Sequence, residues 1–223
     1  MRAFSCFDII GPVMVGPSSS HTAGAVRLGR LARAIAGGLP KKVEVLLHGS
    51  FAQTYRGHGT DLALIGGLLG FDTDDVRIRD SFTIAEEQGL TFRLIPTNLG
   101  EEFHPNTVKF LITTFSGEIM SVTGASIGGG NVVITHINDD EIELKGDLPA
   151  LITTHRDIPG VISQVSSILA KHEINIAFMK VFRKEKRKLA HMVVETDEKV
   201  EKNVLAEILQ IESIEKVLAI DPV

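Results

Sequence analysis

The chain has 223 residues, enough for one large or two modest domains with a real core. Its net charge of −5 argues against a basic surface that binds nucleic acid. With no tryptophan and one tyrosine, the sequence also argues against a surface on which bases stack, so no nucleic-acid partner is predicted. The sequence lacks an apolar run long enough to span a membrane and lacks a signal peptide at its start, which predicts no membrane partner and a cytoplasmic location.

The cysteine count restricts the cofactors that this chain could hold by itself. Cys6 is the only cysteine, and its neighbours Phe4 and Phe7 favour a small buried apolar residue there. An internal disulfide is excluded, and an iron–sulfur cluster needs about four cysteine ligands. With no His-x-x-x-His pair on a helix either, no metal ligand is predicted in this chain.

The first motif is a run of hydroxyl and imidazole side chains, Gly16-Pro17-Ser18-Ser19-Ser20-His21-Thr22, which precedes a helical pattern from Ala23 to Ile35. A helix N-terminus needs one capping hydroxyl, so the run exceeds what capping requires. Free N–H groups and the helix dipole favour a bound carboxylate or phosphate there. The motif therefore predicts a small-anion pocket with a titratable base, against the alternative of a polar loop with one capping serine.

A second motif, Gly57-His58-Gly59-Thr60-Asp61, precedes an apolar helical run from Leu62 to Leu69. It again predicts an imidazole and a hydroxyl at a helix start, with glycines that allow a ligand to approach closely. Taken alone it is equally typical of a histidine in an ordinary loop.

Two further polar segments interrupt predicted strands. His104-Pro105-Asn106-Thr107 lies between strands at Thr91 to Pro96 and Val108 to Phe115, where the proline could aim His104 or Asn106 or simply form a turn. Ser126-Ile127-Gly128-Gly129-Gly130-Asn131 separates two β-rich stretches. It matches neither a dinucleotide nor a phosphate-loop pattern, so nucleotide binding is not predicted.

The sequence is rich in glycine before about residues 140–150 and has a different hydrophobic spacing after them. This change predicts domains at 1–145 and 148–223. Downstream, the hydrophobic spacing predicts the order βαββαβ, an antiparallel sheet with both helices on one face. The predicted elements are a strand at Leu148 to Thr154, a helix at Val161 to Lys171, strands at Asn175 to Phe182 and Leu189 to Thr196, a helix at Val200 to Leu209 and a strand at Ile214 to Ile220.

This order, with Asp157-Ile158-Pro159-Gly160 in the first loop and Asn175 after the first helix, resembles the ACT domain. The resemblance implies self-association through the sheets and an amino-acid effector held near Asp157, Gly160 and Asn175. Glu173 stands where that family usually has a glycine. An ACT fold used only for packing or dimerisation is the alternative.

Taken together, the motifs resemble one family over nearly the whole chain, the beta chains of bacterial iron–sulfur-dependent L-serine dehydratases. The resemblance implies an α/β (α+β) fold, with an N-terminal domain similar to the allosteric substrate-binding domain of some phosphoglycerate dehydrogenases. It also implies an alpha-chain partner that ligates a 4Fe–4S cluster, whose iron would act as a Lewis acid on the hydroxyl of L-serine. The lone cysteine of this chain agrees with that division.

The same resemblance implies that the polar motifs face the cluster at the interface with the alpha chain, and from that position we expect the following roles. His21 and His58 would be catalytic, one removing or relaying the α-proton of L-serine. The residues implied to bind the substrate are Ser18, Ser19, Ser20, Thr22, Gly59, Thr60 and Asn106. Two other classes stay open, namely a non-catalytic amino-acid-sensing ACT module and a metal-independent hydrolase that pairs Ser20 with His21.

Overall fold

A computed structural model describes residues 12–223, so the interpretation of Cys6 lies outside the described residues. The chain divides into two compact units between Asn138 and Asp139. Among the described residues, no helix is both long and apolar enough to cross a membrane.

The first unit is an α/β arrangement built on a sheet of which five strands lie in this unit. Its strands lie in the order β2-β1-β3-β4-β5, where β1 and β2 are parallel and the other neighbours are antiparallel. The elements are a π-helical turn at Ser19–Ala23, α1 at Gly24–Ile35, β1 at Lys42–Leu47, α2 at Gly49–His58, α3 at Thr60–Leu69, a 3₁₀ turn at Val76–Asp80, α4 at Ser81–Glu87, β2 at Thr91–Pro96, β3 at Thr107–Thr113, β4 at Ile119–Gly128 and β5 at Asn131–Ile137.

The helices α1 and α3 cross at two glycines. A Cβ placed on Gly29 would clash with the backbone of α3 at Leu64, and a Cβ on Gly67 would clash with the carbonyl of Val26 in α1. Glycine at both positions therefore allows the two backbones to touch. Because the π-helical turn leads into α1 and Thr60 begins α3, this crossing fixes the relative positions of two of the polar motifs.

The second unit confirms the predicted βαββαβ order. An additional strand, β6 at Asp140–Leu144, comes first; the predicted order is then formed by β7 at Ala150–Arg156, α5 at Val161–Lys171, β8 at Ile176–Arg183, β9 at Leu189–Thr196, α6 at Lys202–Leu209 and β10 at Ile214–Ile220. The antiparallel sheet has the order β10-β7-β9-β8. Val165 of α5 and Ile208 of α6 share one core with Leu151 and Val194, so both helices pack on one face. The α+β fold class is confirmed.

The secondary structure around the second motif differs from the sequence prediction. Gly57 and His58 end the helix α2, which the sequence did not predict, and only Thr60 begins the next helix. The pattern hid α2 because Phe51 is its one buried residue, so the sequence carries almost no apolar periodicity there.

Glu173 occupies the position after α5 where a left-handed residue closes the helix. Its φ is 57°, and Ile174 N–H donates to Leu169 O across it, the pattern in which glycine is preferred. Because the left-handed conformation costs a residue with a Cβ about 1 kcal/mol, we expect Glu173→Gly to raise the free energy of unfolding by about that amount. Urea unfolding checks this against Glu173→Ala, which keeps the Cβ and should gain little; equal stability of the two variants would contradict the explanation.

Candidate functional site

The serine run forms a π-helical turn at the start of α1. Ser18 is extended, and its Oγ accepts the His21 N–H at 3.2 Å. The N–H of Gly24 donates to the carbonyl of Ser19, the wider hydrogen bond that defines the π turn. Such turns are often found at functional sites. One serine therefore caps the helix, as expected, and the other hydroxyls are left for other contacts.

Two hydroxyls hold the imidazole of His21. Its Nδ1 lies 3.0 Å from Ser20 Oγ, and its Nε2 lies 2.9 Å from Ser50 Oγ. Ser18 Oγ lies 3.3 Å from Ser20 Oγ and extends the chain of hydroxyls. Partial burial lowers the pKa of His21 below its usual value of 6.5, and the neighbouring His58 lowers this pKa further. His21 is therefore a neutral, hydrogen-bonded imidazole near pH 7.

The structure brings the two predicted histidines together. The ring centroids of His21 and His58 are 4.9 Å apart, and the hydroxyl of Thr22 donates to the carbonyl of His58 at 3.3 Å. Gly59, with φ of 67°, lets the chain pass directly from α2 into α3. Thr60 is the first residue of α3, as expected of a hydroxyl at a helix start, but it is fully buried and its Oγ1 has no hydrogen-bond partner among the described residues.

Asn106 reaches the same region through Ser126. The Ser126 N–H donates to the Asn106 carbonyl at 3.0 Å, and Asn106 Nδ2 lies 3.5 Å from the Ser126 carbonyl. Ser126 is fully buried on β4, and its side chain lies so close to Gly24 that a Cβ there would collide with it. Asn106 is thereby placed beside the strand that packs against the first turn of α1.

Three buried side-chain atoms have no hydrogen-bond partner within residues 12–223: His58 Nδ1, Thr60 Oγ1 and Ser126 Oγ. All three belong to the motifs described above. An unsatisfied buried polar atom costs about 1–3 kcal/mol, so native structures keep few of them without a reason. Their grouping around the π-helical turn is expected of a site that a bound molecule or a partner surface completes.

Sequence reasoning missed Ser50 and did not commit to Ser126. Ser50 is 29 residues from His21 along the chain, and it lies in the unpredicted helix α2, so no local pattern signals the contact. Ser126 had a signal, because it precedes the glycine run that was singled out as unusual.

The residues of this chain do not fit an iron–sulfur cluster. Across residues 12–223 the structure holds no group of three or more His, Cys, Asp and Glu side chains that could bind a metal ion. The full sequence has one cysteine, whereas such clusters take about four thiolate ligands. The residues of this sequence therefore do not supply the ligands of such a cluster.

The residues expected to bind an effector in the second unit do not form one cluster. Asp157 accepts hydrogen bonds from Arg187 N–H and from Arg183, which hold the pKa of its carboxyl below the usual range. Gly160 caps α5 with φ of 95°. Asn175 follows the other end of α5, where its Nδ2 donates to Asp197. The 11 residues of α5 span roughly 16 Å and separate the two ends.

Comparisons with known proteins identify the family of this chain. The model for the serine dehydratase beta chain matches residues 5–97, which include both Ser/His motifs, and the ACT domain model matches residues 149–213. The probable L-serine dehydratase beta chain of Bacillus subtilis (strain 168) is 46% identical over 99% of both chains. This chain belongs to the serine dehydratase beta-chain family. A second beta chain, the L-serine dehydratase beta chain of Peptoniphilus asaccharolyticus, is 42% identical over 95% of this chain and 96% of its own length.

This chain is also similar to part of a longer protein. The D-3-phosphoglycerate dehydrogenase of Synechocystis sp. (strain ATCC 27184 / PCC 6803 / Kazusa) is 31% identical over 85% of this chain but over only 34% of its own length. The likeness therefore extends to a portion of that protein and leaves most of its length unmatched.

Proposed function

We propose that this chain is the beta subunit of an L-serine ammonia-lyase, which deaminates L-serine to pyruvate and ammonia together with an alpha chain. The observation that carries the proposal is its near full-length identity to two L-serine dehydratase beta chains. The paired imidazoles of His21 and His58, at a centroid distance of 4.9 Å, add chemistry suited to proton transfer.

Within this chain, His58 is the group that takes the α-proton of L-serine, and His21 relays that proton or positions the reacting groups. Both ring nitrogens of His21 already have hydroxyl partners, whereas His58 Nδ1 has none among the described residues. The π-helical turn at Ser19–Ala23 favours binding of the substrate carboxylate, because the first N–H groups of a helix lack intrahelical acceptors. The residues assigned to the substrate are Ser18, Ser19, Ser20, Thr22, Gly59, Thr60 and Asn106.

The cofactor of the complete enzyme is a 4Fe–4S cluster ligated by the alpha chain. The single cysteine of this chain and the absence of a metal-binding group in residues 12–223 support that division. The beta chain contributes binding and proton transfer from its own side chains.

The two domains of the proposal are a serine dehydratase beta-type domain at 1–145 and an ACT domain at 148–223, which self-associates through its sheet. The edge strand β8 exposes Phe178 and Val181, apolar side chains that a second copy would cover. Because Asp157 and Gly160 lie at the opposite end of α5 from Asn175, an amino-acid effector would use one of these ends, or both through two chains.

The experiment is anaerobic co-purification of this chain with the alpha chain from its own source, followed by an assay of pyruvate formed from L-serine. We expect activity only when both chains and iron are present. Inactivity of the iron-loaded pair would reject the proposal. Serine binding by the isolated beta chain, without any activity of the pair, would instead favour the alternative, a non-catalytic amino-acid-sensing module.

A further inference from the structure

The first turn of α2 is fixed in place independently of His21. Gly49 has φ of 56°, and a Cβ there would lie 2.6 Å from the carbonyl oxygen of Pro105. On either side of it, His48 N–H donates to Thr107 O at 3.0 Å and Phe51 N–H donates to Pro105 O at 3.4 Å. The backbone that carries Ser50 is therefore anchored to the segment that also carries Asn106.

From this anchored turn, the hydroxyl of Ser50 reaches the imidazole of His21, with Oγ 2.9 Å from Nε2. The opposite nitrogen meets Ser20 Oγ at 3.0 Å, and the Phe51 ring lies edge-on at a centroid distance of 5.3 Å. An imidazole that is hydrogen-bonded at both ring nitrogens cannot rotate about its bond to Cβ without losing a hydrogen bond. Ser18 Oγ also lies 3.5 Å from Nδ1, so it is removal of the Ser50 hydroxyl, on Nε2, that would free this rotation.

A hydroxyl can donate or accept, which suits a ring that changes its protonation. When Nε2 carries the proton, it donates to Ser50, and Nδ1 accepts from Ser20. When Nδ1 carries the proton, it donates to Ser20, and Nε2 accepts from Ser50. Both neutral tautomers are thus satisfied, and in the imidazolium both N–H groups find an acceptor.

We propose that Ser50 is a positioning residue for His21, holding the ring in one orientation while permitting either tautomer. The inference deepens the proposed function, on which its activity readout rests. Ser50 acts through His21 and is given no contact with the substrate. The chemistry required of the residue is one small hydroxyl, which alanine lacks and threonine retains.

The test compares Ser50→Ala with Ser50→Thr in the two-chain complex and in the full-length beta chain labelled with ¹⁵N-histidine. In the alanine variant we expect kcat for pyruvate formation to fall about tenfold with KM little changed, since misplacement of a catalytic group affects the chemical step. The His21 Nε2 resonance should shift, and the ring should titrate at a lower pH because the imidazolium loses an acceptor. Ser50→Thr should restore both kcat and the His21 resonance with its titration.

Gln53→Ala is the matched control, because Gln53 is exposed on the same helix. If the alanine variant does not fold, Ser50→Cys, a much weaker hydrogen-bonding group, gives the same comparison. An unchanged His21 resonance in Ser50→Ala would overturn the proposal, and so would failure of threonine to restore kcat. If the native complex makes no pyruvate, the proposed function is rejected, while the His21 resonances still decide the role of Ser50.

Discussion

Replacing His58 with alanine should lower kcat for pyruvate formation by the two-chain enzyme by about a hundredfold or more, the typical contribution of a general base. The physical reason is that the other imidazole cannot substitute for it. His21 is held by Ser20 and Ser50 at its two nitrogens, so taking a proton directly from the substrate would break an existing hydrogen bond. The measurement is the steady-state rate across pH with L-serine as substrate.

His172→Ala is the control for the loss of a histidine, since His172 pairs with Glu207 in the second unit and has no part in the proposed chemistry. If kcat falls less than tenfold in His58→Ala and also less than tenfold in His21→Ala, the assignment of these two residues to proton transfer is contradicted.

The second unit was predictable because its signals are local. In β9, Met192, Val193 and Val194 are all buried and pair with residues of β7, so a short continuous apolar run marks this strand. In α5, the buried side chains recur at Val161, Val165 and Leu169, one face of a helix. Patterns of this kind are written in neighbouring residues, so the order βαββαβ could be inferred from the sequence.

The candidate site was only partly predictable, because its contacts join distant segments. The clustering of Ser18 and Ser20 with His21 is visible in the sequence, and the capping of the turn follows from it. The contact of His21 with Ser50 depends on the packing of α2, which lacks an apolar stripe. The sequence therefore indicated which side chains carry the chemistry, and tertiary packing decided which of them meet.

The crossing of α1 and α3 should be the most sensitive structural feature of the first unit. A methyl group at Gly67 has nowhere to go, because it would meet the carbonyl of Val26 and the Cα of Gly29, both backbone atoms. Separating the helices would disturb a packed core, so we expect Gly67→Ala to lower the free energy of unfolding by about 3 kcal/mol. Thermal and urea unfolding of the full chain measure this change.

Gly57→Ala makes the same chemical change in α2, where the structure leaves open space around a Cβ, and should be neutral or stabilising by up to about 1 kcal/mol. Equal stability of Gly67→Ala and the native chain would contradict the close crossing. The crossing also links stability to the site, since α1 continues from the turn that carries His21 and α3 begins at Thr60. Any Gly67→Ala protein that still folds should therefore lose activity as well, because a shift between the two helices displaces His21 from His58.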